Sequence, residues 1–335
     1  MNQFPMDNEE DDVITITIED DDHQKFKRLD VFLTRKINSL SRNFIKSLFQ
    51  KGLITSSKSS PYQGKLELKK LPPVGSILCI DVPPPAPSNA VAQNIPLDIL
   101  FEDEHLIVIN KRVGMVVHPA PGHPDGTLVN AILHHCSDLS GVGDQKRPGI
   151  VHRLDKGTSG VMVVAKNQKC HEGLVLLFSS HDIKREYLAI VMNTKLPSKG
   201  EVDSPIGRHP HHRLKMSSEN KRGKRAKTYW SIVQCFKSCS LISCTLETGR
   251  THQIRVHMAQ NMNSPLLMDP LYGSPKDHLN RVSPQIKKHL KEYPHPLLHA
   301  KKLGFIHPIT KESLEFIMPP PSFYQKTLDF LEKEI

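Results

Sequence analysis

The stretch that decides the fold lies between residues 149 and 166 and reads Gly149-Ile150-Val151-His152-Arg153-Leu154-Asp155-Lys156-Gly157-Thr158-Ser159-Gly160-Val161-Met162-Val163-Val164-Ala165-Lys166. Two apolar segments enclose a polar turn, in which Asp155 lies between the cations Arg153 and Lys156. Buried strands that deliver a loop are a rigid way to present a reactive group. Most aspartates in turns only bond to local backbone, so Asp155 alone does not establish a catalytic site.

A second unusual stretch follows further along the chain and reads Gly249-Arg250-Thr251-His252-Gln253-Ile254-Arg255-Val256-His257. A strand is expected to end at Gly249, and Thr251 is a suitable N-cap for a helix. Arg255 then lies in the first turns of this helix, close to Arg250 and His252. Such a corner suits a phosphate or a buried carboxylate, although an ordinary helix start has the same spacing.

The charge of the chain is distributed unevenly. Its 335 residues include 45 Lys and Arg against 35 Asp and Glu, but residues 1–22 contain nine acids and no Lys or Arg. Residues 23–335 therefore carry an excess of 19 positive charges. A folded body that is this basic is suited to a polyanion such as nucleic acid.

Several classes of protein are excluded. No apolar run approaches the roughly 18 residues of a membrane helix, and the acidic N-terminus resembles neither a secretory signal nor a transit peptide. The six cysteines are scattered and form no CxxC pair, which is typical of reduced thiols in a cytoplasmic protein. P-loop, GxGxxG and zinc-site patterns are absent, so any chemistry is expected to need no cofactor or metal.

Four segments are predicted along the chain. Residues 1–24 form an acidic flexible arm, and residues 25–82 a small unit of two helices followed by short strands. Residues 83–96 are a linker, because consecutive prolines form neither helix nor ladder. Residues 97–335 mix many strand signals with helices predicted at Leu128–His135, His171–Ser179 and Thr251–Asn261, which favours an α+β fold with a mostly antiparallel sheet. Residues 274–294 are polar and read as an exposed excursion.

The two unusual stretches resemble the signatures of the ribosomal large-subunit pseudouridine synthases, in the branch with an N-terminal S-four-type RNA-binding domain. The first signature matches residues 152–160 and the second residues 249–257. Shorter matches are Met115-Val116-Val117-His118-Pro119, Arg185-Glu186-Tyr187 and Asp269-Pro270-Leu271-Tyr272-Gly273. The resemblance implies that residues 25–82 bind RNA and that residues 97–335 form the catalytic domain. One departure is Gly157, where relatives commonly carry a second aspartate.

The resemblance also implies the roles of three residues. Asp155 would be the essential aspartate, Arg255 its partner, and Tyr187 the ring that packs on the target uracil and helps to remove a proton from it. Isomerising uridine breaks the bond from the sugar to a ring nitrogen and rejoins the ring through a carbon. Asp155 would act as nucleophile on the sugar or as base beside it. The free uracil stays in the pocket, so no cofactor is needed.

The expected partner is structured RNA, either large-subunit ribosomal RNA or its assembly intermediate, and the expected oligomeric state is a monomer that does not bind a membrane. The residues predicted to contact it are cations and one histidine: Arg153, Lys184, Arg208, Arg213, Lys227, Arg250, His252, Arg42 and Lys46. One alternative is a non-catalytic RNA-binding or ribosome-assembly factor on the same fold, which would not need Asp155, Tyr187 and Arg255 together. Another is an RNA glycosidase that releases uracil, but a second positioned carboxylate does not stand out beside Asp155.

Overall fold

The computed structural model describes most of the chain, in the ranges 13–37, 40, 42–82, 90–120, 122–136, 139, 141–144, 147–212, 214–220 and 222–334. The chain divides into two units, Met1–Ala86 and Pro87–Ile335. The first half of the predicted linker, residues 83–89, lies outside the described ranges. None of the described helices combines the length and the apolar character that crossing a bilayer requires.

The first unit is a three-stranded antiparallel sheet with three helices. Its elements are β1 (Val13–Thr17), α1 (Asp20–Lys25), α2 (Leu29–Lys36), α3 (Arg42–Gln50), β2 (Ile54–Ser56) and β3 (Ile77–Asp81). The strand order is β1-β3-β2. Helices α2 and α3 bury apolar residues such as Phe32, Leu33, Ile45 and Leu48 against the sheet residues Leu78 and Ile80.

The predicted acidic arm is wrong for residues 13–24, because they fold into the first unit. Strand β1 pairs with β3 from Val13↔Asp81 to Thr17↔Ile77, and Ile18 is fully buried. Acidic residues in the first turn of α1 are favourable, since they face the positive end of the helix dipole. Asp22 is buried and forms an ion pair with Lys36 at 3.0 Å. The acidic composition of this segment hid two features of its sequence. Strand β1 alternates between exposed and partly buried residues, and in α1 Asp21 and Asp22 form ion pairs with Lys25 and Lys36.

The second unit contains the remaining elements. Its strands are β4 (Ile99–Glu102), β5 (Leu106–Lys111), β6 (Gly143–Asp144), β7 (Arg147–Pro148), β8 (Ser159–Ala165), β9 (Lys184–Val191), β10 (Lys199–Asp203), β11 (Gly207–Arg208), β12 (Met216–Ser217), β13 (Lys227–Cys235), β14 (Ser240–Leu246), β15 (Leu298–Ile306) and β16 (Ser313–Ile317). Its α-helices are α4 (Leu128–His135), α5 (Gln168–Ser180), α6 (Gln253–Val256), α7 (Pro275–Arg281), α8 (Pro284–Leu290) and α9 (Ser322–Glu332), and a π-helix (His257–Asn261) continues α6.

A nine-stranded sheet forms the centre of the second unit. Its order is β10-β13-β14-β9-β15-β8-β5-β4, and β16 pairs with β15. Within this sheet only β8 and β15 pair in parallel, so the prediction of an α+β fold with a mostly antiparallel sheet is confirmed. Alternate residues of β9 enter two different cores, with Tyr187 and Ala189 in one and Leu188 and Ile190 in the other. The sheet is therefore covered on both faces.

The predicted exposed excursion at residues 274–294 is wrong. These residues form α7 and α8, whose N-caps Ser274 and Ser283 accept hydrogen bonds from backbone N–H groups. Ile286 and Leu290 are fully buried and belong to the same core as Leu328 and Leu331 of α9. The segment is polar on average because only one stripe of each short helix faces the sheet.

A buried carboxylate joins the helices of the first unit. Asp30 is fully buried, and it accepts hydrogen bonds from Arg28 Nε at 2.9 Å and from Arg42 Nε at 3.0 Å. Hydrogen bonds from Arg28 and Arg42 outweigh the cost of burial and lower the pKa of Asp30 to about 2. Arg42, predicted to contact RNA, is thus engaged in holding α3 to the start of α2.

We expect Asp30→Asn to lower the free energy of unfolding of the first unit by about 2 kcal/mol at neutral pH, because two guanidinium groups lose their charged partner. The folded pKa is below the unfolded value of 3.8, so this stabilisation is complete above pH 3.8 and is lost as the pH falls through about 2. Urea unfolding of the full chain at several pH values measures the difference. The control is Asp21→Asn, which removes an exposed ion pair with Lys25; equal effects of the two variants would contradict the prediction.

Candidate active site

The turn that carries Asp155 is braced from both sides. Thr158 N–H donates to the Asp155 carbonyl at 3.0 Å, and Gly114 N–H donates to the Lys156 carbonyl at 2.7 Å. Leu154 is buried beside it and anchors the turn in the core. The Asp155 side chain is 15% exposed, whereas Arg153 and Lys156 are exposed. The sequence therefore presents one carboxylate at the surface of a rigid loop.

Strand β8 continues the turn and fixes its position in the sheet. Gly160 has φ +114°, a left-handed conformation that favours glycine, and pairs with Ala300 of β15 in parallel. A Cβ at this position would collide with the Ala300 carbonyl oxygen. The close approach of β8 and β15 thus requires glycine five residues after Asp155.

Arg255 connects Asp155 to a second, deeper carboxylate. Its Nη1 donates to Asp155 Oδ2 at 3.1 Å, while Nε and Nη2 donate to Asp269 at 2.7 and 2.9 Å. Burial alone would lower the pKa of Arg255, but the hydrogen bonds and charges of Asp269 and Asp155 raise it above its ordinary value. Burial raises the pKa of Asp269, but Arg255 and the N–H groups of Leu271 and Tyr272 lower it more. Both groups are therefore charged, and the predicted partnership of Asp155 and Arg255 is present in the geometry.

The helix that carries Arg255 starts differently from the prediction. Its N-cap is His252, in the left-handed conformation with φ 59° and ψ 20°, and not Thr251. The loop before it is held instead by Gln253, whose Oε1 accepts from Arg250 N–H and Thr248 Oγ1. Backbone strain at a non-glycine residue is typical of functional sites.

His252 lies beside Asp155 and has little access to solvent. Its Nε2 is 3.8 Å from Asp155 Oδ2, and its side chain is 16% exposed. Burial lowers the pKa of His252 below its ordinary value, although the Asp155 carboxylate acts in the opposite direction. A neutral imidazole next to the carboxylate makes His252 a member of the Asp155 site rather than a surface contact.

Tyr187 approaches the same site from strand β9. It is only 9% exposed, and burial raises the pKa of its hydroxyl, with a further contribution from the Asp155 carboxylate. Arg185, two residues earlier, is also buried, and its Nη2 donates to the Glu247 carbonyl at 3.0 Å. The charge of Arg185 favours the ionised form of the Tyr187 hydroxyl. Tyr187 and the buried guanidinium of Arg185 therefore lie on the same side of the site.

Lys111 is a buried amine that motif reading missed. It is 1% exposed, and its Nζ donates to the carbonyls of Arg112 and Met115 at 3.0 and 2.9 Å. Burial lowers its pKa to about 7, although the Asp155 carboxylate opposes the shift. Lys111 shapes the 112–115 loop, whose Gly114 braces the Asp155 turn.

The residues predicted to contact RNA have different environments. Arg153, Lys184, Arg208 and Lys46 are exposed. Lys227 is mostly buried and pairs with Glu201 at 3.1 Å, and Arg250 Nε donates to the Arg225 carbonyl at 3.0 Å. Arg213 lies outside the described residues. Four of these cations are therefore exposed, and Lys227 and Arg250 contact Glu201 and the Arg225 carbonyl.

One group of potential metal ligands occurs elsewhere in the described part of the chain. Glu102, His135 and Cys136 place their ligand atoms within 4.8 Å of one another. Both oxygens of Glu102 are already used, by Lys166 Nζ at 2.7 Å and by His135 Nε2 at 2.8 Å. The ammonium group of Lys166 also opposes a second cation, so this cluster fits an ion-pair network better than a metal.

Asp269 and Tyr272 complete the surroundings of Arg255. Tyr272 places its ring 5.1 Å from the Arg255 guanidinium, and its hydroxyl lies 2.7 Å from His252 Nδ1. Both residues lie in the stretch 269–273 that resembles the family, but the sequence alone assigns no role to either of them. Their roles depend on tertiary contacts that spacing along the chain does not show.

Known proteins with a similar sequence identify the family to which a chain with this site belongs. Residues 105–260 match the family model described as RNA pseudouridylate synthase. A ribosomal large subunit pseudouridine synthase D from Zymomonas mobilis is 45% identical over 303 residues, which cover 89% of this chain and 92% of that protein. The chain belongs to the RNA pseudouridylate synthase family. It is a pseudouridine synthase, an enzyme that isomerises uridine in RNA.

Two further similarities extend over much of this pseudouridine synthase. RNA pseudouridine synthase 2, chloroplastic, from Arabidopsis thaliana is 36% identical over 350 residues, covering 91% of this chain and 80% of that one. The solved structure of human RNA pseudouridylate synthase domain containing 4 superposes with a TM-score of 0.54 at 28% identity. It covers 70% of this chain and 93% of the human one.

Lys111→Met is expected to change how stability depends on pH. The folded pKa of about 7 is below the unfolded value of 10.5, so the unfolded chain binds the extra proton between these values. The free energy of unfolding should rise with pH across this window because of Lys111, by up to ~1.4 kcal/mol per pH unit. Urea unfolding at about pH 7 and about pH 9 should show a smaller rise for Lys111→Met.

The control for this comparison is Lys169→Met, on the exposed side of α5. It should retain the pH dependence of the wild-type chain. If the free energy of unfolding rises by the same amount between the two pH values in Lys111→Met and in Lys169→Met, the lowered pKa of Lys111 is wrong.

Proposed function

We propose that this enzyme converts specific uridines of large-subunit ribosomal RNA to pseudouridine, with Asp155 as the essential carboxylate. The proposal of a ribosomal substrate is supported by the relatives, of which the Zymomonas mobilis protein is named as a ribosomal large subunit synthase. The proposal for Asp155 is carried by one observation: two carboxylates share the Arg255 guanidinium, but only one of them is open to a substrate.

The two carboxylates differ in their contacts. Asp269 has a fully buried side chain and accepts four hydrogen bonds, two from Arg255 and one each from the N–H groups of Leu271 and Tyr272. Asp155 is partly exposed, and among the described residues its ion pairs with Arg255 and His252 both involve Oδ2. A carboxylate that is fully buried and hydrogen-bonded at both oxygens is out of reach of a sugar, so we assign Asp269 to position Arg255 and Asp155 to react.

The chemistry follows from this arrangement. The Asp155 carboxylate attacks C1′ of the uridine or removes the proton from C2′, and the bond between C1′ and N1 of the ring breaks. The uracil then turns so that C5 bonds to C1′, and in the same step the bond from Asp155 to C1′ breaks, or C2′ takes its proton back from Asp155. C5 finally loses its proton, and N1 gains one. Tyr187 packs on the ring and assists the removal of the C5 proton. Every atom of the uridine is retained, so the reaction needs no cofactor.

The target nucleotide has to leave its helix or loop before Asp155 can reach it. We assign the surrounding phosphates to the exposed cations Arg153, Lys184 and Arg208, and those of a neighbouring RNA segment to Lys46 in the S-four-type unit. The paired Arg42, Lys227 and Arg250 would have to exchange their present partners to contribute. Arg213 stays a predicted contact.

We propose that the enzyme works in the cytoplasm as a monomer. The free state of all six cysteines supports a reducing compartment. A chloroplastic name for the Arabidopsis thaliana relative shows that related enzymes also serve an organelle. The monomer remains a prediction, which the sedimentation velocity of the purified chain would test.

Asp155→Asn is expected to abolish pseudouridine formation and to leave RNA binding nearly intact. The amide keeps the size of the side chain and removes the charge that attacks the sugar or takes a proton. Carbodiimide-based mapping of ribosomal RNA should show pseudouridines that disappear in cells lacking the protein and that return only with the active chain. Asp329→Asn, an exposed carboxylate of α9, is the matched control.

Persistent pseudouridine formation by Asp155→Asn would overturn the assignment of the carboxylate. Loss of modification in transfer RNA with unchanged ribosomal RNA would overturn the substrate class alone. Chromatography of the products separates the isomerase from a glycosidase, because a glycosidase would release free uracil.

Lys184→Gln combined with Arg208→Gln is expected to weaken RNA binding and to reduce its dependence on salt. Each lost phosphate contact should lower the slope of log K against log[salt] by about 0.7–0.9. Filter binding of a ribosomal RNA fragment between low and moderate salt measures this slope. Lys326→Gln, an exposed lysine of α9, serves as control, and an unchanged slope in the double variant would remove both residues from the interface.

A further inference from the structure

Two hydrogen bonds connect the hairpin β11–β12 to His252, whose ring lies beside Asp155. The backbone N–H of Met216, in β12, donates to the Tyr272 hydroxyl oxygen at 2.8 Å. The same hydroxyl lies 2.7 Å from His252 Nδ1, and His252 Nε2 lies 3.8 Å from Asp155 Oδ2. Two residues, Tyr272 and His252, thus lie between a backbone donor and Asp155.

The donors and acceptors of these two hydrogen bonds can be assigned from their chemistry. A tyrosine hydroxyl has one proton, and its oxygen already accepts the Met216 N–H. We assign its proton to His252 Nδ1, which then carries a lone pair. Since the neutral imidazole has only one N–H, that group is at Nε2, the nitrogen that faces Asp155. The opposite tautomer would turn a lone pair toward the carboxylate.

We propose that Tyr272 is a positioning residue that fixes His252 as the Nε2–H tautomer, so that a neutral N–H group is directed at Oδ2 of Asp155. The inference rests on the proposed role of Asp155. Arg255 and His252 then hold Oδ2 from two directions, and Oδ1 is the oxygen presented to the ribose. Tyr272 acts only through His252.

The geometry suits this role because Tyr272 itself is held firmly. Its backbone N–H donates to Asp269 Oδ1 at 3.1 Å, and the Arg255 guanidinium lies over its ring at 5.1 Å. Burial raises the pKa of its hydroxyl to about 12, so the proton that it donates to Nδ1 is retained at neutral pH. The ring in Tyr272→Phe should therefore keep its place, and only the hydroxyl is lost.

The direct test is the protonation of His252 observed by nitrogen NMR on chain labelled with ¹⁵N-histidine, with the His252 signals assigned by their loss in His252→Gln. In the wild-type chain we expect an unprotonated Nδ1 and a protonated Nε2. In Tyr272→Phe this preference should weaken. An Nδ1–H tautomer in the wild-type chain, or an unchanged tautomer in Tyr272→Phe, would overturn the proposal.

The titration of His252 provides a second readout. Asp155 and Asp269 favour its protonated form, whereas burial and the charges of Arg255 and Arg153 oppose it. A hydrogen bond donated to Nδ1 stabilises the neutral form, so its removal should raise the pKa of His252. We expect a higher titration midpoint in Tyr272→Phe than in the wild-type chain; a lower or equal midpoint contradicts the assigned direction of the Tyr272 hydrogen bond.

Kinetics distinguish positioning from general structural damage. Tyr272→Phe should lower kcat about tenfold, the effect of one lost hydrogen bond, with little change in KM for RNA. In a His252→Gln background, which keeps an N–H donor near the Nε2 position, the same substitution should have almost no further effect. Full additivity of the two substitutions would show that Tyr272 does not act through His252.

The matched control is Tyr324→Phe. Tyr324 is a buried tyrosine of α9, and its hydroxyl makes no hydrogen bond to any described residue. This variant should keep the wild-type kcat and the wild-type His252 spectrum. If Asp155→Asn is inactive while Tyr272→Phe retains full kcat, the positioning role fails and the proposed function stands. An active Asp155→Asn removes the proposed function, and the tautomer experiment still reports on Tyr272 independently.

Discussion

The site depends on one guanidinium that is shared between two carboxylates. A buried arginine with a single acidic partner loses the hydration of its guanidinium and gains only one ion pair in return. The orientation of the guanidinium would then change whenever that one partner moved. Here Asp269 fixes Arg255 by a two-point contact from Nε and Nη2, which orients the plane of the guanidinium. The remaining Nη1 is then directed at Asp155 before any substrate binds. The position of the Asp155 carboxylate is thus set by the ion pair between Arg255 and Asp269.

The backbone around Asp155 adds a second constraint of a different kind. The turn is held by Gly114 and Thr158 through backbone hydrogen bonds, and the strand that follows it approaches β15 at Gly160 too closely for any side chain. These contacts restrain the main chain, whereas Arg255 and His252 restrain the side chain. A carboxylate that is held in both ways loses little freedom on binding RNA, which is the advantage of a preorganised site.

The sequence was sufficient to predict the fold class, the helix at Leu128–His135 and the pairing of Asp155 with Arg255, because each depends on local patterns or on a long family signature. It was insufficient where tertiary partners decide the outcome. The acids at residues 19–22 suggested a solvated arm, but Asp22 is buried against Lys36. Arg42 looked like a surface cation, but Asp30 accepts its hydrogen bonds. The family resemblance includes Asp269 and Tyr272, but their roles depend on their distances to Arg255 and His252, which the sequence does not show.

Two buried cations near Asp155 show why position 255 holds an arginine. Lys111 is buried, and its hydrogen-bond partners among the described residues are two backbone carbonyls. Its pKa falls to about 7, so its charge varies near neutrality. Arg255 is also buried, yet its pKa is raised above an already high ordinary value by Asp269 and Asp155. A lysine at position 255 would have one point charge for two carboxylates and could not make the forked contact with Asp269. A planar, permanently charged group can keep its contact with Asp269 while Asp155, in its proposed role, bonds to the sugar or takes up a proton.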